Sequence, residues 1–218
     1  MKAFPLVLSA PSGGGKTTIA KALLAAREDM GYSVSATTRA PRPGEVDGRD
    51  YFFMSRKEFR HRTEAGEFVE WAEYGGEQYG TLRAQVDQVL ASGRHVVLDI
   101  EIQGARAVRE RYPEAVLVFI VPPTADDLYQ RLGGTQGTRA GSLERRLRRA
   151  VEELNEALQY DYVVVNADRT EALADVAAIV DAESRRPGRD PELPAQLGEL
   201  GREIQRLAEA VAGKVQEA

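Results

Sequence analysis

The stretch that most constrains this chain is Leu6 to Thr18, LVLSAPSGGGKTT. A short apolar run is followed at once by small residues, three glycines, a lysine and two threonines, and then by the helical pattern Ile19 to Leu24. This is the strand, loop and helix order of a phosphate-binding loop. Gly13, Gly14 and Gly15 lack a Cβ, so the backbone can curl and aim successive N–H groups at phosphate oxygens. The helix that follows adds its positive dipole end. Lys16 is then placed for the β- and γ-phosphates and Thr17 for a Mg²⁺ ion. One position departs from the G-x-x-x-x-G-K-[ST] pattern: Ala10 stands where glycine is usual, and alanine would resist a positive φ there. The stretch implies a nucleoside triphosphate site.

The rest of the composition narrows the choice. The 218 residues suit one large domain or one domain with insertions, and the 43% of hydrophobic residues are enough for a core. A net charge of −5 argues against a general nucleic-acid binder. There is no cysteine, which excludes disulfides and thiolate metal sites, and two histidines do not make a metal cluster. The first strand begins too early for a signal peptide, and no apolar run approaches the roughly 20 residues that span a bilayer. A cytoplasmic protein without membrane or nucleic-acid partners is expected.

The chain then changes texture twice. The first helix is expected to end near Met30-Gly31. Tyr32 to Arg39 alternates like a strand, residues 40–49 form a loop rich in proline, glycine and charge, and Asp50 to Met54 is again strand-like. A short helix over Phe59 to Gly66 and a hairpin of Phe68–Tyr74 turning at Gly75-Gly76 complete a small β-rich insertion over 35–81. From Leu82 a βα rhythm returns: a helix, the strand His95–Ile100 ending in an acid, a helix over Gln103–Tyr112, and the buried-type strand Ala115–Val121. Thr124 caps the next helix, Ser142 opens a long one to about Leu158, Tyr160–Val165 is the last strand, and Thr170 caps a helix to about Glu183. The pattern predicts an α/β fold: a parallel-sheet phosphate-loop NTPase core with helices on both faces.

Residues 185–194 read as a linker and 195–218 as a helical tail. In the tail Leu197, Leu200, Ile204, Leu207 and Val211 fall at spacings of 3, 4, 3 and 4. That seam suits either a coiled-coil contact, with a homodimer through the tail, or packing on the chain's own domain. Gly198, Gly201 and Gly213 weaken the helix.

Several side chains outside the loop carry candidate chemistry. Arg39 and Arg42 flank the Pro/Gly loop ahead of Tyr51, and arginines there can grip a phosphate bidentately, or simply be solvated. Asp99, at the end of an apolar strand, is placed to order Mg²⁺ and its waters. Glu101 suits the same site or a helix start.

At this point the residues carry a resemblance. SAPSGGGKTT, SATTRAPRPGEVDGRDYFF, FVEWAEYGGEQYGT, VVLDIEIQGA and YDYVVVNAD, in this order, resemble guanylate kinase over residues 4–184. The resemblance implies ATP- and Mg²⁺-dependent phosphorylation of GMP, with dGMP as a further acceptor, in purine nucleotide metabolism and GMP recycling. It implies a core (4–34 and 82–184), a GMP-binding insertion (35–81) and a helical lid at about 126–149. Ala10, Pro11, Ser12, Gly13, Gly14, Gly15, Lys16, Thr17 and Thr18 would form the ATP loop. Arg39, Arg42, Tyr51 and Tyr79 match the grip on the GMP phosphate, and Ser35, Glu70 and Thr81 the contacts to guanine. Lys16, Arg39, Asp99, Arg131 and Arg146 would carry catalysis, with Thr17, and Asp99 through water, on the metal. Glu101 stands where aspartate is usual, longer by a methylene, among the GMP contacts. The family's next lid arginine falls on Thr135, and Arg139 is the candidate to replace it on ATP. Arg145 and Arg149 read as a solvated helix face. The rival readings are a guanylate-kinase-like binding module without catalysis, disfavoured by the intact Lys16 and Thr17, and a kinase of another phosphorylated acceptor such as a sugar phosphate, disfavoured by Ser35, Glu70 and Thr81.

Overall fold

Strand β1, Pro5–Ser9, is buried at every residue, and its alternate side chains enter two different cores. Leu6 and Leu8 join a cluster with Ile19, Ala20 and Leu23 of α1 (Lys16–Ala26) and Ala172, Val176 and Val180 of a late helix. Val7 points the other way, toward Val86, Val89, Ala105 and Val108. Alternation of side chains along a strand that is apolar on both sides requires helices on both faces, which is the expected layering. The structure, a computed structural model, describes residues 2–133 and 140–216.

Residues 3–180 form one compact unit. Its main sheet has five strands in the order β2 (Met30–Tyr32), β7 (His95–Asp99), β1, β8 (Val116–Val121) and β9 (Tyr162–Val165). All four pairings are parallel, with Leu8 opposite Asp99 and Ser9 opposite Phe119. Helices α3 (Arg83–Ala91) and α4 (Ile102–Arg111) cover one face. Helices α1 and α7 (Arg169–Ser184) cover the other.

A second, four-stranded sheet occupies the insertion, in the order β4 (Phe52–Phe53), β3 (Ala36–Thr37), β6 (Glu77–Leu82) and β5 (Phe68–Tyr74). Its small core is Ala36, Phe59 and Leu82, with Phe68 stacked on Phe59 at 4.4 Å between centroids. Phe59 lies on α2 (Arg56–Glu64), which is capped by the Ser55 hydroxyl accepting from Glu58 N–H. Helices α5 (Ala125–Arg131) and α6 (Ala140–Asn155) share a third cluster of Leu128, Leu132, Leu143 and Ala150. Thr124 caps α5 as expected, accepting from Asp127 N–H at 3.0 Å.

Two local expectations are corrected. Helix α1 ends at Ala26, not near Met30-Gly31: Arg27 is extended and pairs with Asp29, and Met30–Tyr32 forms a strand against His95–Val97. The cap of α7 is Asp168, whose carboxylate accepts from Thr170 and Glu171 N–H at 2.7 and 3.0 Å, not Thr170.

Among the described residues, Lys2 and residues 181–216 group as a second unit. In it Lys2 N–H donates to the Arg189 carbonyl at 2.6 Å, and the buried Glu183 and Arg189 pair at 2.9 Å. Residues 185–194, expected as a linker, hold a 3₁₀ turn at Pro187–Arg189 and the start of α8, Leu193–Gln216. Leu197, Leu200, Ile204 and Leu207 are all exposed on α8, while the Val211 side chain lies outside the described residues. Among the described residues, no helix is long and apolar enough to cross a membrane.

Candidate active site

The loop from Ala10 to Gly15 leaves the carboxyl end of β1, between β7 and β8, where open parallel sheets hold their ligands. Gly13 (φ +85°) and Gly15 (φ +99°) take left-handed conformations that L side chains rarely adopt. Gly15 has a second reason to be glycine, since a Cβ there would collide with the Asn166 amide. Ala10, by contrast, is buried in the core and has no positive φ, so the departure from the usual pattern costs no strain. Gly14 N–H closes the turn on the Pro11 carbonyl at 2.7 Å, and α1 starts at Lys16, with Thr17 and Thr18 in its first turn. The backbone N–H groups at that helix start and its positive dipole end suit an anion.

Around this loop the strand ends supply polar groups. Asp99, the last residue of β7, accepts from Thr17 Oγ1 at 2.9 Å through Oδ2 and from the Tyr32 hydroxyl at 3.2 Å through Oδ1. Burial, followed by the neighbouring Asp99 charge, pushes the Tyr32 phenol far up, so it stays a donor. Lys16 Nζ donates to Glu101 Oε1 at 2.6 Å, at the entrance of α4. A hydroxyl and a carboxylate beside a phosphate cradle are hard oxygen donors, and Thr17 with Asp99 fits a Mg²⁺ that keeps most of its waters. Among the described residues no three His, Cys, Asp or Glu side chains gather as a metal cluster.

The α5–α6 pair reaches the same loop. Arg146 donates to Ser12 Oγ at 2.9 Å and to the Leu132 carbonyl at 3.3 Å, and Arg131 donates to the Asn166 carbonyl at 2.9 Å. Thr135 and Arg139 lie outside the described residues.

The second sheet presents two further groups. Arg39 grips Glu45 with both terminal guanidinium nitrogens, at 2.9 and 3.0 Å, and lies 5.4 Å from the Tyr51 ring centroid. Arg42 N–H also donates to Glu45, at 2.7 Å, and its side chain is exposed. Tyr51 and Tyr79 stand edge to face at 6.0 Å. Arg39, Tyr51 and Tyr79 are thus gathered, with an internal carboxylate in the arginine fork. Deeper in, Thr81 Oγ1 donates to Glu70 Oε1 at 2.6 Å. Burial pushes the Glu70 carboxyl above the usual carboxylate range, with Thr81 opposing that shift. Ser35 precedes β3, where its carbonyl accepts from Phe52 N–H.

Three residues near the loop were not legible as site residues. Asn166, one residue beyond β9, donates its amide to the Gly14 carbonyl at 2.9 Å. Its position at the end of an apolar strand, like that of Asp99, was the available signal. Glu153 is buried and accepts from Ser12 N–H at 3.3 Å. Arg149, read as solvated, joins Glu153 at 2.7 Å to Glu101 at 3.1 Å. The i,i+4 spacing of that acid and base was the hint.

The sequence model of the guanylate kinase family matches residues 2–183. A guanylate kinase of Symbiobacterium thermophilum is 49% identical over 87% of this chain and 90% of its own length. One from Rubrobacter xylanophilus is 47% identical over 80% of this chain and 92% of its own. The crystal structure of guanylate kinase from Anaplasma phagocytophilum superposes with a TM-score of 0.73 at 35% identity, covering 90% of this chain and 94% of that one.

Proposed function

The chain belongs to the guanylate kinase family, and from that premise we propose that it transfers the γ-phosphoryl group of ATP to GMP, giving ADP and GDP. One observation carries the reading beyond family membership: α4 ties the two halves of the site together. Its entrance residue Glu101 holds Lys16 of the phosphate loop, and its Gly104 lies against Glu70 of the second sheet. A donor phosphate at Lys16 and an acceptor base at Glu70 would thus flank one helix.

The proposed roles follow from chemistry. Gly13 to Thr18 cradle the ATP phosphates, and Arg39, Arg42, Tyr51 and Tyr79 take the GMP phosphate, which replaces Glu45 in the Arg39 fork. Ser35, Glu70 and Thr81 read guanine: a carboxylate accepts from its N1 and N2 hydrogens, whereas adenine has no such adjacent pair and would leave the carboxylate unpaired. Glu101 turns to GMP once nucleotide phosphates draw Lys16 away.

Phosphoryl transfer needs alignment and charge neutralisation more than covalent help. The GMP phosphate oxygen attacks the γ-phosphorus in line, with no covalent intermediate. Lys16, Arg131 and Arg146 stabilise the charge that develops on the transferred group and on ADP, and Arg139 is assigned to ATP. Thr17, and Asp99 through water, would hold Mg²⁺, which would supply positive charge against the phosphates. The insertion (35–81) and the lid (about 126–149) are proposed to close over the substrates and exclude water.

The assigned grip is to base and phosphate, so dGMP, which differs only at the ribose 2′-hydroxyl, is proposed as a second acceptor. A place in purine nucleotide metabolism and GMP recycling in the cytoplasm goes with these substrates. Residues 4–184 are proposed as the catalytic domain, 185–194 as a linker and 195–218 as a tail whose exposed apolar seam pairs with a second copy. The test is ADP release with ATP and Mg²⁺, supplying GMP, dGMP, AMP, CMP and UMP in turn. Turnover confined to the guanine nucleotides is expected; none with any acceptor would leave a binding module.

A further inference from the structure

Gly104 sits in the first turns of α4, buried, with no positive φ to explain it. Alanine is the better helix former at such a position, so the helix alone would prefer it. Space is what requires glycine. A Cβ at Gly104 would stand 2.9 Å from Glu70 Oε2, 3.0 Å from its Cδ and 3.1 Å from its Cγ. The three nearest atoms all belong to one carboxylate side chain. That side chain is fixed on its other oxygen, where Thr81 donates at 2.6 Å, and Thr81 itself is buried on β6.

We propose that Gly104 is a specificity-setting positioning residue: its missing side chain sets how deep the Glu70 carboxylate lies in the base pocket. The inference rests on the reading of Glu70 as the guanine acceptor. With alanine at 104 the carboxylate must give way. It can do so by stretching its bond from Thr81 or by advancing into the space of the base, and both degrade its fit to guanine. The phosphate loop is untouched, and the helix gains a residue it prefers. Lost recognition would therefore come with unchanged or raised stability, which a generally damaging substitution would not produce.

The experiment is a double-mutant cycle of Gly104→Ala with Glu70→Asp. Aspartate is shorter by a methylene and stops short of the added Cβ. Gly104→Ala alone is expected to raise KM for GMP about tenfold or more, leaving KM for ATP and kcat at saturation within about twofold and Tm no lower. Its cost should be smaller with IMP, which lacks the 2-amino group, and should shrink to about twofold in the Glu70→Asp background. A normal KM for GMP in Gly104→Ala, an equal cost in both backgrounds, or a fall in Tm with both substrates impaired would overturn the inference. If Glu70→Asp and Glu70→Gln left KM for GMP and base preference unchanged, the guanine reading itself would fail, and the inference with it.

Discussion

Lys16 Nζ stands 2.6 Å from Glu101 Oε1, while Glu101 Oε2 stands 3.1 Å from Arg149. Lys16, proposed to bind the ATP phosphates, is thus paired with the acid at the N-cap of α4, and on that reading nucleotide displaces Glu101. Both partners keep contact with solvent, so the pair contributes modestly, on the order of 1 kcal/mol or less. Glu101→Gln is expected to tighten ATP binding about two- to fivefold, read by calorimetry without GMP. A weaker affinity would mean that Glu101 holds Lys16 ready for nucleotide instead of competing with it.

Asn166 ties the phosphate loop to the end of β9. Its amide satisfies the Gly14 carbonyl at 2.9 Å in a buried setting, and its own carbonyl takes Arg131. Asn166→Ala leaves the Gly14 carbonyl without that donor, at a cost of about 1–3 kcal/mol. Urea unfolding should show that loss, and KM for ATP should rise while KM for GMP stays put. Unchanged stability would show that water replaces the amide.

What was legible in the sequence follows from the range of the forces involved. Strand β1, its loop and α1 are set by local chemistry: glycines where φ is positive, a lysine and threonine at fixed spacing, an apolar run before and after. Val96–Leu98 of β7 and the whole of β8 are apolar because both faces are covered, and that too is visible in one dimension. Met30 and Gly31 read as a helix end because so short a strand carries no periodicity; with Tyr32 they become a strand only by pairing with His95–Val97, more than sixty positions away. Arg149 looked like one arginine among several, since its partner Glu101 enters from another helix. Gly104 gave no local sign at all. The side chain that a Cβ there would meet, Glu70, comes from β5 of the second sheet.

If Glu70 reads guanine as proposed, it couples stability and recognition in opposite directions. Burial raises its carboxyl pKa in the folded protein, so the folded state holds its proton at pH values where the unfolded chain has released it. Stability therefore falls as pH rises through that window, and the penalty is complete above the raised pKa. Glu70→Gln removes it: the variant should be at least as stable as the parent near neutral pH, with the difference closing as pH drops to the ordinary glutamate range. Activity should move the other way, with kcat/KM for GMP down on the order of 10- to 100-fold. In the parent, kcat/KM for GMP should decline on acidification while a carboxyl in the usual range would still be ionised. Melting curves and pH–rate profiles of the two proteins decide this, and a less stable Glu70→Gln at neutral pH would contradict the burial argument.

The seam of α8 offers the last test. Leu197, Leu200, Ile204 and Leu207 are each more than half exposed on the described part of the helix. Their 3-4 spacing makes a stripe of the width that packs against a copy of itself in a coiled coil, and left bare it would expose apolar area to water. Leu200→Glu with Leu207→Glu would set four like charges in a paired seam, two from each copy, and bury them at prohibitive cost. The parent is expected to run as a dimer in light scattering at micromolar concentration, and the double variant as a monomer. GMP turnover per chain should stay within about twofold, since the assigned chemistry lies within 10–146 and none of it in the tail. A parent that is monomeric throughout that range would remove self-association as the tail's role.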